Sequence, residues 1–406
     1  MTYFSTKDSL FDITEKYPQT LEIFVAQGFV QLADEQKRAT MGKSLQLDIA
    51  LSMRNIDEAA FHNLLIQAIE SKGNSNGTNK PEKQLRIKGL LPCPVRLPLQ
   101  EELDAFIAQS AGKMQIEAHL KAASMGLDWM KDEVINAEVV EELDDLYISA
   151  GFDMFFEQAY FGRFTKTGEF ADPLPWEKVN KDFDNKQLRL KDPQGRYGII
   201  AVVPAIFLVN TQVLGERPVP QSWEDLLNPV YANSISLPVS DFDLFNAILL
   251  TLGQRYGRDA ITALGMNMQQ SMHPAQMVKS ERSKNQKPAI TIMPYFFTKM
   301  AKAGGVMTAV WPTDGAIISP IFAIGKTKRF KQMDSLSDFL GSEKLAEILS
   351  HQGLFPSLNP MIDNKIPTEN TYMWLGWDFI DSHNLNQEFE QCEKLFNSAH
   401  NQNKPS

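Results

Sequence analysis

Asp192-Pro-Gln-Gly-Arg-Tyr-Gly198, the run Ile199 to Asn210, and Ser222-Trp-Glu-Asp-Leu-Leu-Asn-Pro229 decide how this chain is read. The run is almost wholly apolar and closes on the polar pair Asn210-Thr211, which predicts a buried strand ending in a turn. Prolines and Ser222 around Trp223 then mark a helix start. Working outward, strand patterns occur at Leu85–Leu91, Asp144–Ser149, Ser234–Leu237 and Ala289–Met293. Helix patterns lie between and after them, at Leu99–Ile107, Leu244–Leu252 and Lys344–Ser350. Alternation of this kind predicts an α/β architecture.

Ahead of it lies a different region. Ser71 to Lys83 has no large apolar residue and cannot repay the entropy of ordering, so residues 71–83 read as a flexible linker. Residues 1–70 pattern as a small helical domain. Ser9 or Asp12 caps a first helix, Leu21, Phe24, Val25 and Phe29 give an apolar face, and Asp57 opens a last helix through Phe61, Leu64, Leu65 and Ile69. The expected domains are therefore 1–70, the linker 71–83, and 84–406.

Bulk chemistry excludes several functions. At 406 residues, with 43% hydrophobic and 22% charged side chains, the chain is an ordinary globular composition spread over more than one core. Its net charge of −10 argues against a nucleic-acid surface, which needs clustered Lys and Arg. Cys93 and Cys392 are far apart and the six histidines are scattered, so no metal site and no cofactor are expected. No run is long and apolar enough for membrane insertion. Met1 to Ser9 shows no basic segment followed by an apolar one, which predicts a cytoplasmic protein; a longer natural start would make it periplasmic.

Leu208-Val-Asn-Thr211 followed by Pro220 to Pro229 resembles the middle of the ABC-transporter solute-binding proteins, nearest their iron-binding branch. Ala309-Val-Trp-Pro-Thr-Asp-Gly315 with Ser319 to Ile324, and Phe339 to Lys344 with His351 to Pro356, fit the same family in order, over residues 84 to 390. The resemblance implies a two-lobed periplasmic-binding-protein-like domain that captures a small solute and serves an ABC permease. Phe11 to Pro18, with Ile23-Phe24 through Gly28-Phe29, is similar to the DUF1858 type of helical domain. Many of its members carry a Cys pair after the Gly-Phe; Val30 to Arg38 has none here, which points to a protein-partner role for the helical domain rather than redox or metal handling.

A two-lobed α/β binder holds its ligand in loops after strands. The candidates are Cys93 and Arg96 in Leu91-Pro-Cys-Pro-Val-Arg96, Ser149 and Gly151 after the second strand, Ser240 and Asp241 after the fourth, Tyr295 after the fifth, and Asp314 in an Asp-Gly turn. Ser240, Asp241 and Asp314 have competing roles as caps or turns. In the iron-binding relatives adjacent tyrosines occupy the region of Tyr295; here Phe296 follows it, which argues against ferric iron. Phe155, Phe156, Tyr160, Phe161 and Phe164 read as core filling. The acidic pairs Glu141-Glu142 and Asp144-Asp145 read as a solvated face. No phosphate loop, nucleophile elbow or zinc-protease motif is present, so an enzyme is not expected. The reading is a solute binder; the alternatives are a cytosolic sensor or carrier signalling through the helical domain, and a Cys93-dependent enzyme on the same fold.

Overall fold

The structure, a computed structural model, describes residues 3–26, 29–34, 37–53, 58–71, 84–110, 114–123, 126–239, 242–271, 287–300 and 305–402. Most of the expected linker, with Gly28, Asp57, Ser240 and Asp241, lies outside the described residues. The chain separates into two compact units: residues 1–82 with 124–126, and residues 83–123 with 127–406.

The first unit is helical, with α-helices at Leu10–Lys16, Thr20–Ala26, Leu47–Ser52 and Glu58–Ser71. Ser9 caps the first of them, its hydroxyl accepting from the Asp12 amide at 3.0 Å and so satisfying one of the orphan donors of that turn. Leu10, Ile13, Phe24, Phe29, Leu47, Leu51, Phe61 and Leu65 form its core. Met41, Ile49 and Met53 remain exposed on it.

The second unit is built on strands β1 (Gln84–Leu91), β2 (Gln115–Ala122), β3 (Leu146–Ala150), β4 (Phe170–Ala171), β5 (Gly198–Asn210), β6 (Ile235–Leu237), β7 (Met268–Ser271), β8 (Ile290–Pro294), β9 (Met307–Val310), β10 (Ala316–Lys326) and β11 (Tyr372–Met373). Their order is β2-β1-β3-β10-β5-β8-β6-β7, with β4 and β11 also on β10 and β9 on β5. Two long strands divide this sheet into lobes. The start of β5 and the end of β10 pair within the first lobe, where β3 runs antiparallel to β10 and parallel to β1. The end of β5 joins β8 and β9 in the second lobe. The chain thus crosses between lobes in each long strand, and again after Phe355, since Met333 to Phe355 pack in the first lobe and helix Leu385–Gln402 packs on helix Arg258–Asn267. Both long strands are covered on their two faces, which is why Ile199 to Val209 is apolar without alternation.

The turns after β5 behave as their sequence implies. The Asn210 side chain accepts from the Val213 amide at 3.2 Å, ending the strand. Ser222 and Asp225 form a reciprocal capping box on the short helix Trp223–Leu226. Trp223 is fully buried edge-on to Phe207, its Nε1 donating to the Gly315 carbonyl at 2.9 Å. Phe155, Phe161 and Phe164 are core residues as expected.

One expectation is overturned. Asp144 and Asp145 are buried, not solvated; Glu141 and Glu142 are the exposed pair. Asp144 bonds Arg86 at 2.7 Å and Lys88 at 3.2 Å, while Asp145 lies 3.9 Å from Lys326 and 3.7 Å from Arg329. Basic residues on β1 and after β10, distant in sequence, neutralise what looked like a hydrophilic run.

Where the lobes join, β5 and β10 pair as Val202 with Pro320 and Pro204 with Ile318. The Val202 amide donates to the Pro356 carbonyl at 3.0 Å, so it faces away from β10. Pro320 opposite and Pro204 two residues on share that outward orientation, and neither proline costs the pair a hydrogen bond.

Candidate functional site

The sheet register brings four strand ends to one place. Ala150, the end of β3, lies opposite Ile321 of β10, and Gly89 of β1 is level with Ile148 of β3. Pro294, the end of β8, lies opposite Ala205 of β5, which in turn faces Ile317. The two lobes therefore present their strand ends only four residues apart along β10, about 13 Å at strand spacing. β6 is parallel to β8, so its end points the same way.

Around this crossing the expected residues fall into three groups. Gly151 meets the first turn of helix Phe242–Tyr256: a Cβ on Gly151 would sit 3.6 Å from Asp243 Oδ1 and 3.0 Å from Leu127. Its φ of +146° also suits glycine alone. Tyr295 follows β8 directly, half-buried and edge-on to Trp311 at 5.2 Å. Cys93 and Arg96, after β1, stand at the rim, the thiol exposed and the guanidinium without an ion pair among the described residues. Ser149 and Asp314 are occupied by the fold itself. Ser149 is fully buried with its hydroxyl donating to the Ala150 carbonyl at 2.6 Å. Asp314 accepts from the Trp223 amide at 2.8 Å and the Tyr256 hydroxyl at 2.6 Å.

Side chains that the sequence did not single out complete the seam. Lys131, on helix Asp128–Asn136, pairs with Asp153 on the short helix Phe152–Phe156. Burial works against the Lys131 charge, yet the Asp153 bond and the Asp153 and Asp243 carboxylates raise its pKa. Asp153 belongs to the first lobe and Asp243 to the second, so Lys131 feels both. Burial, then the Asp153 carboxylate, push Glu157 up to about 7, with Lys131 opposing. Trp374, after β11, lies 5.7 Å from the Phe152 ring. Asn246 is 7% exposed, and among the described residues neither its Oδ1 nor the Trp374 Nε1 has a hydrogen-bond partner.

Beside Tyr295, Trp311 lies 5.5 Å from Tyr372, and Tyr372 lies 4.9 Å from Phe183. The Tyr372 hydroxyl is buried without a hydrogen-bond partner among the described residues, and burial, then Asp182 and Tyr295, hold its pKa well above the ordinary value. Ser319, in the crossing itself, is 1% exposed, and its Oγ has no hydrogen-bond partner among the described residues. Other buried polar atoms without a hydrogen-bond partner among the described residues, such as Arg86 Nε, Arg329 Nε and Gln332 Oε1, lie elsewhere in the fold. By contrast, a cavity of about 30 Å³ in the first lobe, lined by Leu99, Leu103, Ile148, Ile321, Leu336 and Leu349, is apolar and too small for a solute.

Comparison with known proteins agrees with this architecture. The chain resembles a Bordetella ferric binding protein at 13% identity and a TM-score of 0.53, over 77% of this chain and 99% of that one. The ferric binding protein from Campylobacter jejuni is similar at 12% identity and 0.52, over 78% and 98%. The periplasmic binding protein AfuA from Actinobacillus pleuropneumoniae, solved with exogenous fructose-6-phosphate, is similar at 15% and 0.51, over 80% and 99%. At such identities the likeness is one of fold. No curated protein matches the chain. DUF1858, a domain of unknown function, matches residues 5–61. The description "bacterial extracellular solute-binding protein" matches residues 141–383, more than half the chain and both long crossing strands, so this chain belongs to that family.

Proposed function

We propose that the chain captures a small solute reversibly between its two lobes, closing about the β5–β10 crossing, with no covalent step. The observation that carries this is the meeting of four strand ends at the crossing, with side chains of both lobes facing across it. Unpartnered Asn246, Ser319 and Tyr372 support it, since buried polar groups normally find partners and a ligand is the missing one. We assign ligand contact to Gly151, Ser240, Asp241 and Tyr295, with Cys93 and Arg96 at the mouth. Ser149 and Asp314 act by holding the adjoining backbone. Cys93 has no hydrogen-bond partner among the described residues that would activate a thiolate, which favours binding over a thiol enzyme.

Family membership supports delivery of the solute to an ABC permease, and exposed Met41, Ile49 and Met53 support a protein-partner role for the helical unit. No helix among the described residues is long and apolar enough to cross a membrane. The family description favours action outside the cytoplasm, and cell fractionation decides between that and the cytoplasmic expectation. For capture itself, thermal-shift screening of solutes should be joined to small-angle scattering. A stabilising solute should shrink the radius of gyration; one that raises Tm and leaves the radius unchanged would sink the hinge reading.

A further inference from the structure

We propose that Tyr295–Met300 is a strap that fastens the second lobe to the first, with Phe296 and Lys299 setting how far the chain is closed before a solute arrives. This inference rests on the capture reading above and adds the side chains that bias its closure.

The strap follows β8 and so starts in the second lobe. Its two adjacent phenylalanines serve different lobes. Phe297 packs on Leu208, Met293 and Met307 and holds the strap to its own strand. Phe296, its ring 4.2 Å from that of Phe297, packs into the core of the first lobe, 5.0 Å from the Phe355 ring. Phe355 is 2% exposed, and parting the two rings would return apolar surface to water.

The second tie has a different chemistry. Lys299 donates from Nζ to the carbonyls of Gln352 at 2.6 Å and His351 at 3.3 Å. These carbonyls end the helical run 343–352, where the last turn has no amides ahead of it and carries the negative end of the helix dipole. An ammonium suits that position, and this one comes from the other lobe.

Direction decides what the ties do. The strap lies at the carboxyl end of β8, and the helix end packs against Cys93–Val95, at the carboxyl end of β1. On the capture reading this is the side on which the lobes part, so opening breaks both ties and closing remakes them. Each tie favours the closed form over the open one. A closed form already populated lessens what a solute must supply.

The test is pulsed electron-spin distance measurement on the solute-free full chain. Nitroxides go on exposed Glu343→Cys in the first lobe and exposed Asp259→Cys in the second, with Cys93→Ser removing the exposed native thiol. Phe296→Ala and Lys299→Met should each raise the longer-distance population about three-fold. Phe296→Leu, which keeps an apolar side chain against Phe355, should restore most of the shorter distance. Met333→Ala, a core truncation on helix Phe330–Leu340, should lower the melting temperature and leave the distances alone. Lys299 is exposed, so its variant reports even where Phe296→Ala fails to fold. Distances that neither strap variant moves, while Pro204→Gly with Pro320→Gly widens them, overturn the strap and leave the hinge. Distances that no variant moves count against hinged capture as well. Equal movement in Met333→Ala would reduce Phe296 and Lys299 to general stabilisers and overturn their role.

Discussion

The two ends of the first lobe's sheet treat charge in opposite ways. At the amino ends of β1 and β3, Arg86, Lys88, Lys326 and Arg329 face Glu133, Asp144 and Asp145, and the Tyr147 hydroxyl donates to Glu133 at 2.8 Å. At the carboxyl ends, near Gly151, Asp153 and Asp243 both act on Lys131, and the Asn246 Oδ1 has no hydrogen-bond partner among the described residues. One end of these strands thus carries a dense network of ion pairs, and the other faces a helix with a buried amide oxygen that has no partner among the described residues.

Breaking the ion-paired end should have the largest effect. Asp144→Ala removes a buried carboxylate that pairs with Lys88 and with part-buried Arg86, leaving Lys88 to Glu133 alone, and chemical denaturation should register a loss of about 3 kcal/mol with solute binding retained in the folded fraction. A loss below about 1 kcal/mol would mean that the two ends do not differ. Asn246→Leu should act in the opposite sense, stabilising the solute-free protein by roughly 1 kcal/mol because a buried acceptor without a donor is removed. A clear destabilisation there would show that the amide is structural.

The smallest effect is a slope with pH. Glu157 has its pKa raised from 4.5 to about 7, so the folded chain holds this proton more tightly than the unfolded one. Its contribution is full below pH 4.5 and is lost as pH rises through about 7. Glu157→Gln should flatten that part of the melting-temperature profile. An unchanged slope would assign it to another group, Asp172 first, whose carboxyl burial raises to about 6.

Much of the fold was legible because it depends on runs of residue type. Ile199 to Val209 could hardly be anything but a doubly covered strand, and the observed β5 extends it by one residue at each end. β2 escaped notice: Gln115 to Ala122 alternates weakly and is only half-buried along most of its length, as an edge strand can be. β9 and the start of β10 were hidden by the Trp311 to Gly315 break between them.

The site was legible only as loops. Strand ends gave Gly151 and Tyr295, but Lys131, Asp243 and Asn246 sit inside helices, where local sequence says nothing of what they face. Asp243 stood next to a segment already read as a cap. Asp144 shows the same limit from the other side, because its partners Arg86 and Lys88 lie more than fifty positions upstream.

The paired prolines at the lobe crossing have a mechanical consequence. Pro204 and Pro320 have fixed φ, and the hydrogen-bonded pairs between them hold β5 and β10 in register, so the lobes cannot slide past one another. What remains is rotation. On the proposed capture, a solute's length would be measured as an angle: a shorter molecule would let the jaws shut further, a longer one would prop them apart, and a docking partner would sense the cargo from outside by how far they had turned.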